Sequence, residues 1–332
     1  MSTDHSHLDP IEPRDAQELY LKHKATEVTE KTLQAHKYRT NHFVQWCEAN
    51  GIDNLNVLTG RNLQEYRLWR QDDGDLAKIT LNQQMSTIRV FLKWCGSVEA
   101  VSADLYEKVM VPRVSDAESR RDETLETETA QAILDHLSRF HYASIEHAVV
   151  ALLWETGIRL GAANSLDVQD VDNDEEWIQL EHRPETDTML KNGSGGERPI
   201  AITTELATLL QEYIDHTRTD LQDEHGRDPL FTTSKGRMHR STLRNVVYRT
   251  TAPCFRNDPC PECTGTSDSK CPEAVCPHAI RRGSITHYLT QDVPVEVVGD
   301  RMNVSRDVLD KHYDKRSEDV KLEQRRAFLE EV

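Results

Sequence analysis

The chain has 332 residues, 29% of them charged, and a formal net charge of −17. That length leaves room for two domains, each able to bury a core. No apolar run is long enough to cross a bilayer, and the opening MSTDHSHLDPIEPRD is polar and acidic, which excludes a membrane partner and a secretory signal and leaves a soluble, cytoplasmic protein as the expectation.

Residues 1–15 read as a disordered tail, and a helical pattern then runs from 16 to 111. After Thr29, a candidate N-cap, Leu33, His36, Thr40, Phe43 and Cys47 recur in steps of three and four, and Gly51 closes the run. Residues 62–70 make a shorter helix. After Thr80, Leu81, Met85, Ile88, Leu92 and Cys95 repeat the stripe, with Gly96 as the stop. Four or five helices of this size make a compact bundle, in which Cys47 and Cys95 are small buried hydrophobes. Residues 112–124, PRVSDAESRRDET, are polar and without periodicity, and read as a linker.

The second domain, 125–332, opens with an amphipathic helix over 125–140 carrying Ile133, Leu134, Leu137 and Phe140. Residues 148–157 are apolar nearly all round, as expected for a buried central helix. Gly157 breaks that helix, and Arg159 follows at once, delivered to the interior. WIQLEHR and the stretch DTMLKNGSGGERPIAI alternate like strands around a glycine turn, a β-hairpin or short meander. Lys191, the sole lysine between Lys108 and Lys235, sits on a strand just before that turn. Thr203 or Thr204 caps a helix through His216, and another helix spans 241–250. The fold class is mainly α with a small antiparallel β-sheet: a helical bundle followed by an α+β domain.

The acid surplus argues against nucleic acid unless a basic face hides within it, or unless the outer surface is acidic as in a halophilic archaeon or its mobile element. Between Pro229 and Asn257 there is no Asp or Glu, while Lys235, Arg237, Arg240 and Arg244 all fall there. These cations suit phosphate contacts on duplex DNA; the plainer alternative is a solvated helix face. The insertion 254–276 holds five of the seven cysteines. Cys260-x2-Cys263 pairs with Cys271-x4-Cys276 as ligands of a structural zinc, with Cys254 as a substitute ligand or a spare. Such a short loop, rich in Pro and Gly, could hardly order without a metal.

Two residues on, His278 and Arg281 share one helical face, three apart, behind Pro277 at a first helical position. A helix start with free N–H groups favours anions, and an arginine fork grips a phosphate. After a second capped helix from about Ser305 comes Tyr313. Its phenol is a nucleophile only beside groups that take its proton and steady the charge on the acceptor.

Arg159 within TGIRLGAANSLDVQDVD, then HAIRRGSITHYL, then Tyr313 close to the C-terminus together resemble the tyrosine recombinases, the phage integrase family. The match takes in Thr156, Gly157, Arg159, Leu166, Asp170 and Asp172 of the first box, and His278, Arg281, Thr286, His287 and Leu289 of the second. Ala162 replaces a frequent Glu, Arg282 replaces a usual His, and Asn303 stands where His or Trp is common. Asn can donate a hydrogen bond to a phosphate but cannot carry a proton. His287 reads as a structural helix histidine.

The resemblance implies an N-terminal SAM-like, core-binding helical domain that clamps the duplex and a catalytic domain behind it. It implies that Tyr313 attacks a DNA phosphodiester, that Arg159 and Arg281 hold the non-bridging oxygens, that His278 takes the phenolic proton and that Lys191 protonates the leaving 5′-oxygen. No cofactor is needed for that chemistry. A C-terminal tail of this kind packs on a neighbouring protomer to order a tetramer. The rival readings are a DNA-binding regulator that kept the fold and lost catalysis, for which Ala162 and Asn303 speak, and a type IB topoisomerase-like enzyme.

Overall fold

The structure, a computed structural model, describes residues 8–115, 118, 123–260, 263, 271–314 and 316–330; the side chains of residues 311, 312, 324, 325 and 327–330 are excepted. The chain divides into two compact units, Met1–Arg121 and Asp122–Val332.

The first unit is helical. α1 (Pro13–Ala25) begins on a proline, whose missing N–H costs nothing in a first turn. α2 (Glu30–Ala49) is capped by the Thr29 hydroxyl, which accepts from the Thr32 N–H at 3.4 Å. α3 (Gly60–Gly74) starts in a reciprocal capping box between Thr59 and Asn62 and outruns the 62–70 expected for it. α4 (Lys78–Ser97) starts two residues before Thr80, which therefore does not cap it. Phe43, Tyr66, Phe91, Met85 and Leu92 are buried at the centre, with Phe43 edge-on to Tyr66 at 5.0 Å, and Cys47 and Cys95 are buried among them. The expected disorder through Asp15 is corrected for residues 8–15. The Asp9 N–H donates to the Glu99 carbonyl at 3.1 Å, the Asn56 amide donates to the Leu8 carbonyl at 3.1 Å, and α1 already starts at Pro13. Hydrogen bonds of this kind hold a segment that composition alone marks as loose.

The second unit is built on α6 (Ile145–Thr156), wrapped by α5 (Thr127–Phe140), α9 (Arg240–Thr251) and α10 (Pro277–Thr290). Val149, Val150, Leu152 and Leu153 of α6 are all but inaccessible. Each such side chain stabilises the fold by about 1.5–3 kcal/mol relative to exposure. Phe140 departs from the expected apolar face: it is 70% exposed at the end of α5. A short α7 (Leu160–Ser165) leads to an antiparallel sheet of order β1 (Val171–Asp172), β2 (Trp177–Leu180) and β3 (Arg198–Ala201), with Ile178 opposite Ile200. The Thr203 hydroxyl caps α8 (Thr204–Glu212). A ribbon of β4 (Thr232–Thr233) and β5 (Gly236–Arg237) precedes α9, and α11 (Val295–Met302), α12 (Arg306–Val308) and α13 (Glu318–Glu330) follow α10.

The chain joins this unit against α10. An atom added as Cβ at Gly283 would lie 2.0 Å from the Leu125 carbonyl oxygen, so only glycine fits. The Leu125 N–H donates to the Ala279 carbonyl at 3.1 Å, and Arg282 donates to the Glu123 carbonyl at 3.1 Å. Arg282 thus packs structurally, where the family's pattern carries His.

Candidate active site

Of the six residues expected at the site, Arg159, Lys191, His278, Arg281 and Tyr313 arrive from four elements and Asn303 from a fifth. α6 ends on Gly157 in the left-handed conformation (φ 59°), where a Cβ would lie 2.6 Å from the Met302 sulfur. Both sign and space require glycine. The Thr156 hydroxyl donates back to the Leu152 carbonyl and accepts from the Ile158 N–H, so the sharp turn leaves few groups unpaired. Arg159 then caps α7 with an extended backbone. It is half-buried, and among the described residues no hydrogen bond or ion pair engages its guanidinium.

Arg281, one turn into α10, is 1% exposed. It donates to the Gly157 carbonyl and, at 2.7 Å, to the Met302 carbonyl, so it clamps the end of α6 to the end of α11. Burial, and next the charge of Arg159, lower its pKa to about 10, which keeps it charged at neutral pH. Two of its donors are spent on the protein.

Tyr313 ends a π-helical turn, Leu309–Tyr313, rather than the regular helix expected from Ser305 onward. Its ring is 5% exposed, 5.6 Å from the Arg281 guanidinium carbon and edge-on to His278 at 5.5 Å. Its hydroxyl lies 3.3 Å from His278 Nε2, and its carbonyl accepts from the Thr286 hydroxyl at 3.0 Å. His278 is an exposed residue. Partial desolvation, then the charges of Arg282, Arg281, Arg159 and Lys191, push its pKa down to about 4. At neutral pH the imidazole is therefore uncharged, and Nε2 can accept the phenolic proton. His287 is 5.5 Å from Trp154 and within 3.4 Å of Thr127, a packing position as expected.

Lys191 is exposed on a turn after Leu190, not on a strand, because β2 stops at Leu180 and β3 begins only at Arg198. Its charge is nonetheless felt at His278. Asn303 does not present its amide to an open site. It adopts φ 50°, donates to the Gly195 carbonyl at 3.0 Å and accepts from the Asn192 amide at 3.0 Å, so it latches the glycine turn that bears Lys191. Arg198, which the sequence reading passed over, completes a cationic group. Burial and the charges of Arg281 and Arg159 lower its pKa to about 10. Its position directly after the glycine turn was the available signal.

The proposed DNA-contacting set divides. Lys235, Arg240 and Arg244 are exposed, without ion pairs among the described residues. Arg237 is corrected: it pairs with the buried Asp167 and, at 2.9 Å, with Asp223. Arg227 joins it on Asp167 at 2.7 Å, and Arg183 straddles Asp170, an acid of the first box. These carboxylates are internal anchors.

The cysteine expectation also changes in one member. The sulfurs of Cys254, Cys260, Cys263 and Cys271 lie within 4.8 Å of one another. Cys276 stands apart as the residue before α10, its N–H donating to a Glu123 carboxylate oxygen at 3.3 Å. No helix of the described chain is long and apolar enough to cross a membrane.

Residues 123–318 match the phage integrase family and residues 18–97 match the phage integrase N-terminal SAM-like domain. The tyrosine recombinase XerD of Corynebacterium glutamicum is 22% identical over 289 residues, 84% of this chain and 86% of that protein. Two solved structures share the fold at low identity. The Tn1549 transposon integrase in complex with a circular intermediate DNA has a TM-score of 0.67 and 14% identity, covering 95% of this chain and 99% of that one. A lambda integrase dimer bound to a COC′ core site has a TM-score of 0.65 and 12% identity, covering 92% and 78%. With a catalytic-domain match over more than half its length, the chain belongs to the phage integrase family.

Proposed function

We propose that the protein is a site-specific tyrosine recombinase that cuts and rejoins duplex DNA through a 3′-phosphotyrosine on Tyr313. One observation carries the reading: the Tyr313 hydroxyl lies 3.3 Å from an uncharged His278 Nε2, with the Arg281 guanidinium over its ring. His278 takes the phenolic proton as the phenolate oxygen bonds to phosphorus. Arg159, whose donors are unspent, and Arg281 lower the energy of the added negative charge. The bond from phosphorus to the 5′-oxygen breaks, and Lys191 supplies the proton to that oxygen. The phosphotyrosine conserves the bond energy, so rejoining is attack by a 5′-hydroxyl with the same groups in reverse. Asn303 acts in this scheme by holding the loop of Lys191, not by touching phosphate. Four protomers act on two duplexes, with α13 as the segment exchanged between neighbours.

A nicked duplex that loses its short 5′-fragment after cleavage traps the covalent intermediate. The wild type forms a protein–DNA band stable to denaturant, and Tyr313→Phe forms none. If the wild type binds the duplex yet yields no band at any salt concentration, the chain is a regulator and the recombinase reading is wrong. Loss of assemblies larger than a dimer on DNA after truncation beyond Lys321 checks the role of the tail.

A further inference from the structure

The cysteine-rich insertion is not used by the chemistry above, and its geometry is that of a metal site. Cys254 sits on the short turn Pro253–Arg256 that follows α9, and Cys271 lies six residues before α10 begins. Sulfur-to-sulfur distances are 3.4 Å for Cys254 with Cys263 and 3.4 Å for Cys260 with Cys271, and all four sulfurs fit within 4.8 Å. A tetrahedral zinc with bonds of about 2.3 Å needs its four sulfurs roughly 3.8 Å apart. A disulfide needs about 2.05 Å, much closer than either pair. Among the described residues, the buried apolar cluster at the site is Ala252, Cys271 and Ala274, with Tyr248 and the other three cysteines partly buried against it, too small to order the insertion by itself.

What the site would fasten is specific. The Val275 N–H donates to the Thr251 hydroxyl at 3.1 Å, joining the last residue of α9 to the segment that feeds α10. Cys254 and Cys271 lie at the two ends of the loop that this contact closes, one just after Thr251 and the other just before Val275. We propose that Cys254, Cys260, Cys263 and Cys271 bind one structural zinc ion, which clips the end of α9 to the start of α10 and thereby holds His278 and Arg281 in place. Each thiol releases its proton to solvent on binding, and no oxidation state changes. Four thiolates complete the zinc shell, so the ion has no open position for water or DNA. Cys276 takes no part.

The test reads metal first and DNA second. The full chain purified under reducing conditions without chelators carries about one zinc per molecule by elemental analysis, the stoichiometry that a single four-thiolate site requires. Cys276→Ser and Tyr313→Phe keep it, whereas Cys254→Ser and Cys271→Ser lose it. Where a cysteine variant fails to fold, the wild type stripped of zinc and reloaded with cobalt serves instead, and it shows the visible absorption of tetrahedral cobalt thiolate. Stripping the metal slows covalent-complex formation at least tenfold, and adding zinc restores it. Absence of bound metal together with absence of cobalt uptake overturns the proposal, as does equal loss of zinc from Cys276→Ser and Cys254→Ser. So does recovery of Cys254–Cys263 and Cys260–Cys271 disulfides from metal-free protein. Metal content is independent of DNA cleavage, so this proposal and the recombinase reading fail separately.

Discussion

Two groups of arginines in the second unit invite comparison. Arg183, Arg227 and Arg237 converge on the buried carboxylates of Asp167 and Asp170. Arg159, Arg281 and Arg198 gather with Lys191 around His278 and Tyr313, and no ion pair joins any of these four cations among the described residues. The first group is neutralised and works for the fold. The second leaves charge unspent, which adds to burial in lowering the pKa of Arg281 and Arg198, and is a place waiting for an anion. An arginine's sequence neighbours do not tell the two apart; the whereabouts of a carboxylate does.

Substitution should separate the groups by what each loses. Arg237→Ala leaves Asp167 short of a partner in the interior and should cost about 3–5 kcal/mol of unfolding free energy in urea, while the folded fraction still cleaves DNA. A loss below 1 kcal/mol, about that of an exposed pair, would dissolve the distinction. Arg159→Ala should do the reverse, slowing covalent-complex formation by about 10²–10³-fold with the unfolding midpoint unchanged, since it removes a like charge from beside Arg281. Acid probes the same cluster more gently. His278 serves as base only when neutral, so the second-order cleavage rate should hold level as pH falls through 6.5, then drop about tenfold per unit once below its pKa of about 4. A fall centred near 6.5 in that rate profile would mean that neither desolvation nor the surrounding cations act on it. Arg240→Gln, at an exposed position proposed to contact phosphate, has the smallest effect: the slope of log affinity against log salt should fall by about one.

Much of this was legible in the sequence. The stripes of α2 and α4, the apolar α6 and the break at Gly157 follow from periodicity and backbone sterics over a few residues. So do the placement of His278 with Arg281 and the pairing of β2 with β3. What escaped depends on partners far along the chain. Arg237 looked like a DNA contact because its acid, Asp167, lies 70 residues earlier. Cys276 looked like a ligand by spacing, whereas the turn after α9 brings Cys254 to the cluster instead. Asn303 was expected to face phosphate, but it bonds across 108 residues to Gly195, and Lys191 proved to sit on the loop so held. Local pattern announces elements; it does not announce which loops meet.

The backbone reaching the second unit is sewn at once to the catalytic helix, through Glu123 with Arg282, Leu125 with Ala279, and a contact at Gly283 that tolerates no side chain. A seam this tight acts as a mechanical linkage. Within the second unit, residues 123–125 and the helix bearing His278 and Arg281 therefore shift together or not at all.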